Sequence, residues 1–115
     1  MAEIFPDDEP APCDAIEQVM QILGRAWAGA VLRAILDGHD RFSAVARAVP
    51  GASDSVLTTR LRELCRRGLA ERIVEAGPPV VIRYTPTPAG RDAAPILAEI
   101  EAFARAHPEV VAGDR

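Results

Sequence analysis

The sequence contains no lysine; all thirteen basic residues are arginine. Such arginine- and alanine-rich usage follows from a GC-rich genome and carries no functional information. Cysteine is scarce as well. Cys13 and Cys65 are the only two, too few for a disulfide framework or a cysteine metal cluster. No apolar run approaches the roughly 20 residues of a membrane-spanning helix. The acidic start, Met1 to Asp8, lacks the basic-then-apolar order of a secretory signal. These absences predict a cytoplasmic protein with no membrane association. His39 and His107 stand far apart with no ligand spacing around them. There is no nucleophile–base pair, glycine-rich phosphate loop or paired-carboxylate motif. Neither a metal nor a cofactor nor catalysis is expected.

The 115 residues, about half of them apolar, suffice for one domain with a core and are too few for two. The net charge of −4 speaks against a nucleic-acid partner until the charges are located. Residues 1–40 carry eight acids against Arg25 and Arg33, and residues 92–115 carry five against Arg105 and Arg115. Residues 41–91 reverse the balance, with nine arginines against four acids. A basic centre between acidic ends fits a DNA-facing surface whose flanks turn away.

Residues 1–12, with three prolines and four acids, read as a flexible acidic arm. Helical spacing begins near Asp14, a candidate cap, and runs through Ile16, Val19, Met20 and Leu23 to Gly24. A second helix is predicted over about 27–37, with Trp27, Val31, Leu32 and Ile35 in its stripe and Gly38 ending it. Ser43 is the candidate cap of a short third helix, and Pro50-Gly51-Ala52 stops that helix. Ser53 caps a fourth, closed by Gly68. A short helix, a glycine-containing turn and a longer helix make a helix-turn-helix. Two strands follow, at about 69–74 and 80–85, around a loop at 75–79. Thr87-Pro88 then opens a helix that reaches about His107, broken or kinked at Pro95, with a tail over 108–115. The expected fold is mainly α with a small β-hairpin wing: a winged helix-turn-helix occupying residues 13–107.

In the fourth helix Leu57, Leu61 and Leu64 share one side at three- and four-residue spacing. Ser55, Thr59, Arg62 and Arg66 lie opposite, with Thr58 nearer the edge. Short polar side chains approach base edges in the major groove, and arginine reaches guanine or phosphate. Arg41 and Arg47 flank the third helix as phosphate-clamp candidates, and Arg83 is a candidate for minor-groove or backbone contact. Ser53 belongs to the same surface. Cys65 sits at the edge of the core stripe and reads as structural. Trp27 either packs in the core or lines an effector pocket. The apolar stripe Ile96, Ile100 and Phe103 exceeds what so small a core can cover, which predicts a second copy.

In order along the chain stand Cys13, Gly24-Arg25-Ala26-Trp27, Arg41-Phe42-Ser43, Pro50-Gly51-Ala52-Ser53 and Leu57-Thr58-Thr59-Arg60-Leu61-Arg62-Glu63-Leu64. Gly68-Leu69-Ala70-Glu71-Arg72, Pro78-Pro79, Tyr84-Thr85-Pro86-Thr87 and Gly90 complete the series. The series resembles the HxlR family of winged-helix regulators, relatives of the MarR type, from about Cys13 to Phe103. The resemblance implies a homodimer built from the first and last helices, which brings in Ile16 and Met20. It also implies a palindromic double-stranded DNA operator, control of a nearby or own promoter as a repressor or an activator, with repression the favoured sign, and response to an electrophile or other small molecule. Cys13 matches the family's sensing cysteine. The chain departs from the family at Ser55 and Val80, where basic residues are usual, and at Asp14, where proline is usual. The hairpin is one residue longer between Pro79 and Tyr84. The net acidity and the two missing basic residues leave a second reading open, a winged-helix protein-interaction module that has lost DNA binding.

Overall fold

The most apolar helix occupies the centre. A computed structural model describes residues 12–113, and in it α2 (Ala28–Leu36) buries Ala28, Val31, Leu32, Ala34 and Ile35. Around it stand α1 (Pro12–Leu23), α3 (Phe42–Ala48), α4 (Asp54–Arg66), the strands β1 (Ala70–Glu75) and β2 (Val81–Pro86), α5 (Pro88–Asp92), α6 (Ala94–Ala106) and α7 (Pro108–Ala112). The core is closed by Val45 and Val49 of the α3 region, Leu57, Leu61 and Leu64 of α4, Ala70, Ala93 and Leu97. The three leucines of the α4 stripe are each at most 1% exposed, so burial fixes which side of α4 faces out. Each such side chain contributes about 1.5–3 kcal/mol by leaving water.

The helix ends follow local chemistry. Ser53 caps α4, its hydroxyl accepting from Val56 N at 3.2 Å. Gly68, at φ 83°, closes the same helix, and Leu69 N donates to Leu64 O at 2.9 Å. Gly38, at φ 99°, closes α2 with His39 N donating to Ala34 O at 3.0 Å. Both are left-handed turns that glycine adopts without steric cost. Thr87 accepts from Gly90 N at 3.0 Å and opens α5. The last helical stretch is broken at Ala93, just before Pro95.

Three expectations are corrected. Ser43 does not cap α3; the helix starts at Phe42 and the extended cap residue is Arg41. Asp14 does not cap α1 but lies inside its first turn, where a carboxylate still favours the helix dipole. Both strands run one residue later than expected, pairing from Ala70↔Pro86 to Glu75↔Val81. The reason is Leu69, whose N–H closes α4 and whose carbonyl accepts from Thr87 N at 3.1 Å. Part of the expected tail is helical, as α7. The acidic arm, except Pro12, and the last two residues of the tail lie outside the described residues.

The hairpin is seated by Tyr84 N donating to Asp40 O at 2.8 Å. The radius of gyration is 16.6 Å with extents of 60 × 42 × 23 Å, against about 13 Å for a compact 100-residue domain. The excess comes with exposed apolar side chains on the peripheral helices, Ile16, Val19 and Met20 on α1 and Ile96, Ile100 and Phe103 on α6. No single helix among the described residues is long and apolar enough to cross a membrane.

Candidate nucleic-acid interface

The outward side of α4 carries Ser55, Thr59, Arg62 and Arg66, all exposed, with Thr58 half-buried at the edge. The threonine hydroxyls are not loose. Thr58 Oγ1 donates to Asp54 O at 2.8 Å and Thr59 Oγ1 to Ser55 O at 3.0 Å. Each oxygen keeps a lone pair for an incoming donor, and each methyl group is fixed in direction. Among the described residues no carboxylate lies within ion-pair distance of Arg62 or Arg66, which leaves their charge for a ligand. Ser53 is exposed but its oxygen is engaged in capping.

Arg41 and Arg47 are exposed at the two ends of α3, beside the turn that leads into α4. Arg72, which sequence reasoning did not single out, joins them on the hairpin. It pairs across the ladder with Tyr84, so both share one face of the hairpin. With Phe42, Thr58, Arg62 and Cys65 they line a cleft of about 460 Å³ between α4 and the wing. The clue was available, since Arg72 and Tyr84 fall on the same side of an antiparallel pair once the register is known.

Two arginines of the basic segment are held by partners within the chain. Arg60 donates from Nε to Ala26 O at 2.8 Å and from Nη1 to Glu63 at 2.9 Å. It ties α4 to the α1–α2 connection. Arg83 is held by Asp40 and Glu75, at 2.9 and 3.2 Å. The wing arginine predicted to meet DNA therefore points at two carboxylates in this structure.

The candidate effector residues are not brought together. Cys13 is exposed in the first turn of α1, its Sγ 4.0 Å from Asp14 Oδ1. Trp27 lies beyond the far end of that helix, about 15 Å of helical rise away. Trp27 is not a core residue: it is 44% exposed. It adopts a left-handed backbone at φ 70° and precedes α2. Its ring packs on Gly51 in the helix-turn-helix turn, where an added Cβ would come within 2.5 Å of Cη2. Cys65 is half-buried, and burial pushes its thiol pKa up, partly offset by Arg72. A second cleft, of about 410 Å³, lies between α2 and α6 and is lined by Leu23, Ala30, Arg33, Leu97 and Ile100 among others. Among the described residues no group of three or more histidine, cysteine or acidic side chains could hold a metal ion.

The sequence of this helix-turn-helix chain matches the HxlR-like helix-turn-helix family model over residues 22–111. The chain belongs to that family. It is an HxlR-type helix-turn-helix transcription regulator. Among its relatives, the HTH-type transcriptional regulator YvaP of Bacillus subtilis is 38% identical over 80% of this chain and 85% of its own. The reduced form of the transcriptional regulator YodB, also from Bacillus subtilis, superposes with a TM-score of 0.73 at 29% identity, covering 92% of this chain and all of that one. The redox regulator HypR in its reduced form gives a TM-score of 0.77 at 28% identity, over 84% of this chain and 96% of that one.

Proposed function

We propose that this HxlR-type regulator acts as a cytoplasmic homodimeric repressor that places α4 of each protomer in the major groove of a palindromic operator. The reading rests above all on the outward face of α4. Ser55, Thr59, Arg62 and Arg66 are exposed on a helix whose orientation is fixed by three buried leucines. Thr59 and Arg62 read bases; Arg41, Arg47 and Arg72 contact phosphates. Dimerisation covers Ile16 and Met20 of α1 and Ile96, Ile100 and Phe103 of α6, each at least 45% exposed in the single chain. Leaving such a stripe in water is unfavourable by about 25 cal/mol per Å², and a second copy covers it by two-fold symmetry.

Control passes through the dimer. Cys13 stands exposed on the helix that joins the two copies, where an electrophile reaches it. An adduct there alters the spacing of the two recognition helices, which must match half-sites about 34–36 Å apart. The redox regulator HypR and the diamide-treated form of YodB among the structural relatives support a thiol route.

The experiment is a gel-shift with the DNA upstream of the chain's own gene, alongside the solution mass of the protein. A sequence-dependent shift by a species of two chains is expected. A monodisperse dimer that binds no duplex refutes the reading and supports the protein-interaction module. Treatment with a quinone is expected to release wild type but not Cys13→Ser; equal responses remove Cys13 from the mechanism.

A further inference from the structure

Arg72 and Arg83 are the two arginines of the wing, and two of the donor groups of Arg83 are already engaged. Its Nη1 donates to Asp40 Oδ2 at 2.9 Å and its Nε to Glu75 Oε1 at 3.2 Å. The carboxylates come from different places, Glu75 from the end of β1 and Asp40 from the α2–α3 connection, 43 residues before Arg83. One guanidinium between two carboxylates leaves a cluster of net charge −1 at the base of the wing. Both carboxylates hold the Arg83 pKa above its ordinary value. A guanidinium is charged throughout the pH range of a folded protein, so only its partner can change.

The side chains of Arg83, Asp40 and Glu75 are 35%, 38% and 50% exposed. Pairs open to solvent to this degree are weak, so another anion competes for the guanidinium. A DNA phosphate is such an anion, but it must displace a carboxylate and approach the second. The backbone of this corner is secured separately, by Tyr84 N donating to Asp40 O and by the Ile73↔Arg83 pairing. Removing the carboxylate charges thus leaves the hairpin seated.

We propose that Asp40 and Glu75 are affinity-setting residues of the DNA interface, which hold Arg83 in a cluster of net charge −1 and so keep this arginine from adding to phosphate attraction. The proposal rests on the DNA-binding reading above. Its effect falls on the sequence-independent part of binding, since phosphate contacts position a protein without specifying bases. A masked Arg83 leaves recognition to α4 and lowers affinity for random DNA.

The test is fluorescence-anisotropy titration of labelled duplexes, one carrying the upstream DNA and one of random sequence, at several salt concentrations. Wild type, Asp40→Asn/Glu75→Gln, Arg83→Gln and the triple variant are compared after circular dichroism has confirmed the fold. Each phosphate neutralised steepens the log–log salt dependence by about 0.9. The Asp40→Asn/Glu75→Gln variant is expected to steepen by about that much per protomer, so that lowering salt from about 200 to 50 mM gains it an extra factor of about 3.5 per protomer over wild type. Arg83→Gln should remove this gain in the triple variant, yet leave the wild-type slope unchanged. A flattened slope for Arg83→Gln alone means that Arg83 already contacts phosphate, and overturns the proposal. A gain that survives in the triple variant assigns the effect to relieved repulsion and overturns it equally. If the double variant does not fold, Glu75→Gln alone and Arg83→Gln alone submit to the same slope comparison. Absence of binding by folded wild type is a distinct result: it refutes the DNA-binding reading, and this proposal falls with it.

Discussion

Replacing Gly51 by alanine separates two opposed effects. Gly51 is not among the described glycines with positive φ, so its backbone is open to alanine. On conformational grounds alone Gly→Ala in a turn stabilises a protein by about 0.4–1 kcal/mol. The surroundings dictate the reverse. The new Cβ would lie 2.5 Å from Trp27 Cη2 and 2.9 Å from Cζ2, whereas carbon atoms rest at about 3.5–4.0 Å. The indole must retreat by roughly 1 Å. Trp27 is not free to slide along the surface, because its left-handed backbone opens α2. It does have an outward route, since it is 44% exposed, which keeps the cost near the low end of the about 1–3 kcal/mol typical of overpacking. The net expectation is a loss of about 1 kcal/mol, or roughly 4–8 °C in Tm for a domain of this size. Urea and thermal unfolding at fixed protein concentration measure it. Trp27→Leu removes the obstacle, so the double variant should be less than additive by at least about 0.5 kcal/mol. A Tm that rises in Gly51→Ala, or strict additivity with Trp27→Leu, refutes the contact as the cause.

Four further outcomes are expected. Arg47→Ala should weaken binding to all duplexes alike and flatten the salt dependence by about 0.9 per protomer; a change of base preference would make Arg47 a base reader. Thr59→Ala and Arg62→Ala should alter sequence preference, at about 1–3 kcal/mol of discrimination per good base contact, and a randomised-site selection that returns the wild-type motif for both moves the readout elsewhere. Ser53→Ala should cost about 1 kcal/mol through the lost cap, read by denaturant midpoint, with no loss expected if the hydroxyl is idle. A thiol reagent should label exposed Cys13 well before half-buried Cys65, and because burial raises the Cys65 pKa, the slow phase should accelerate as pH climbs past the ordinary thiol range; equal rates contradict the burial described here.

The parts of the fold legible in the sequence are those decided within a few residues. Ser53, Gly38, Gly68 and Thr87-Pro88 punctuate the chain where they were expected, because caps and left-handed turns need only local chemistry. The leucine stripe of α4 located its inner side and therefore its outer one. Ser43 failed for a local reason too, since a neighbour, Arg41, supplied the extended cap backbone without a capping side chain. What the sequence did not disclose depends on contacts distant along the chain. Arg83 looked available because Asp40, its partner, is 43 residues earlier. Arg60 looks like any surface arginine until the carbonyl of Ala26 is placed beside it. Trp27 looked like core because large apolar residues usually are, and only the tertiary structure puts it over Gly51 on the outside.

That placement of Trp27 has a spectroscopic consequence. It is the only tryptophan in the chain, and its half-exposed ring rests on the turn between α3 and α4. Intrinsic tryptophan emission from the unlabelled protein therefore originates at a single point, the hinge of the helix-turn-helix. A shift in its colour or quenching on adding DNA or an electrophile reports movement of that turn against the start of α2.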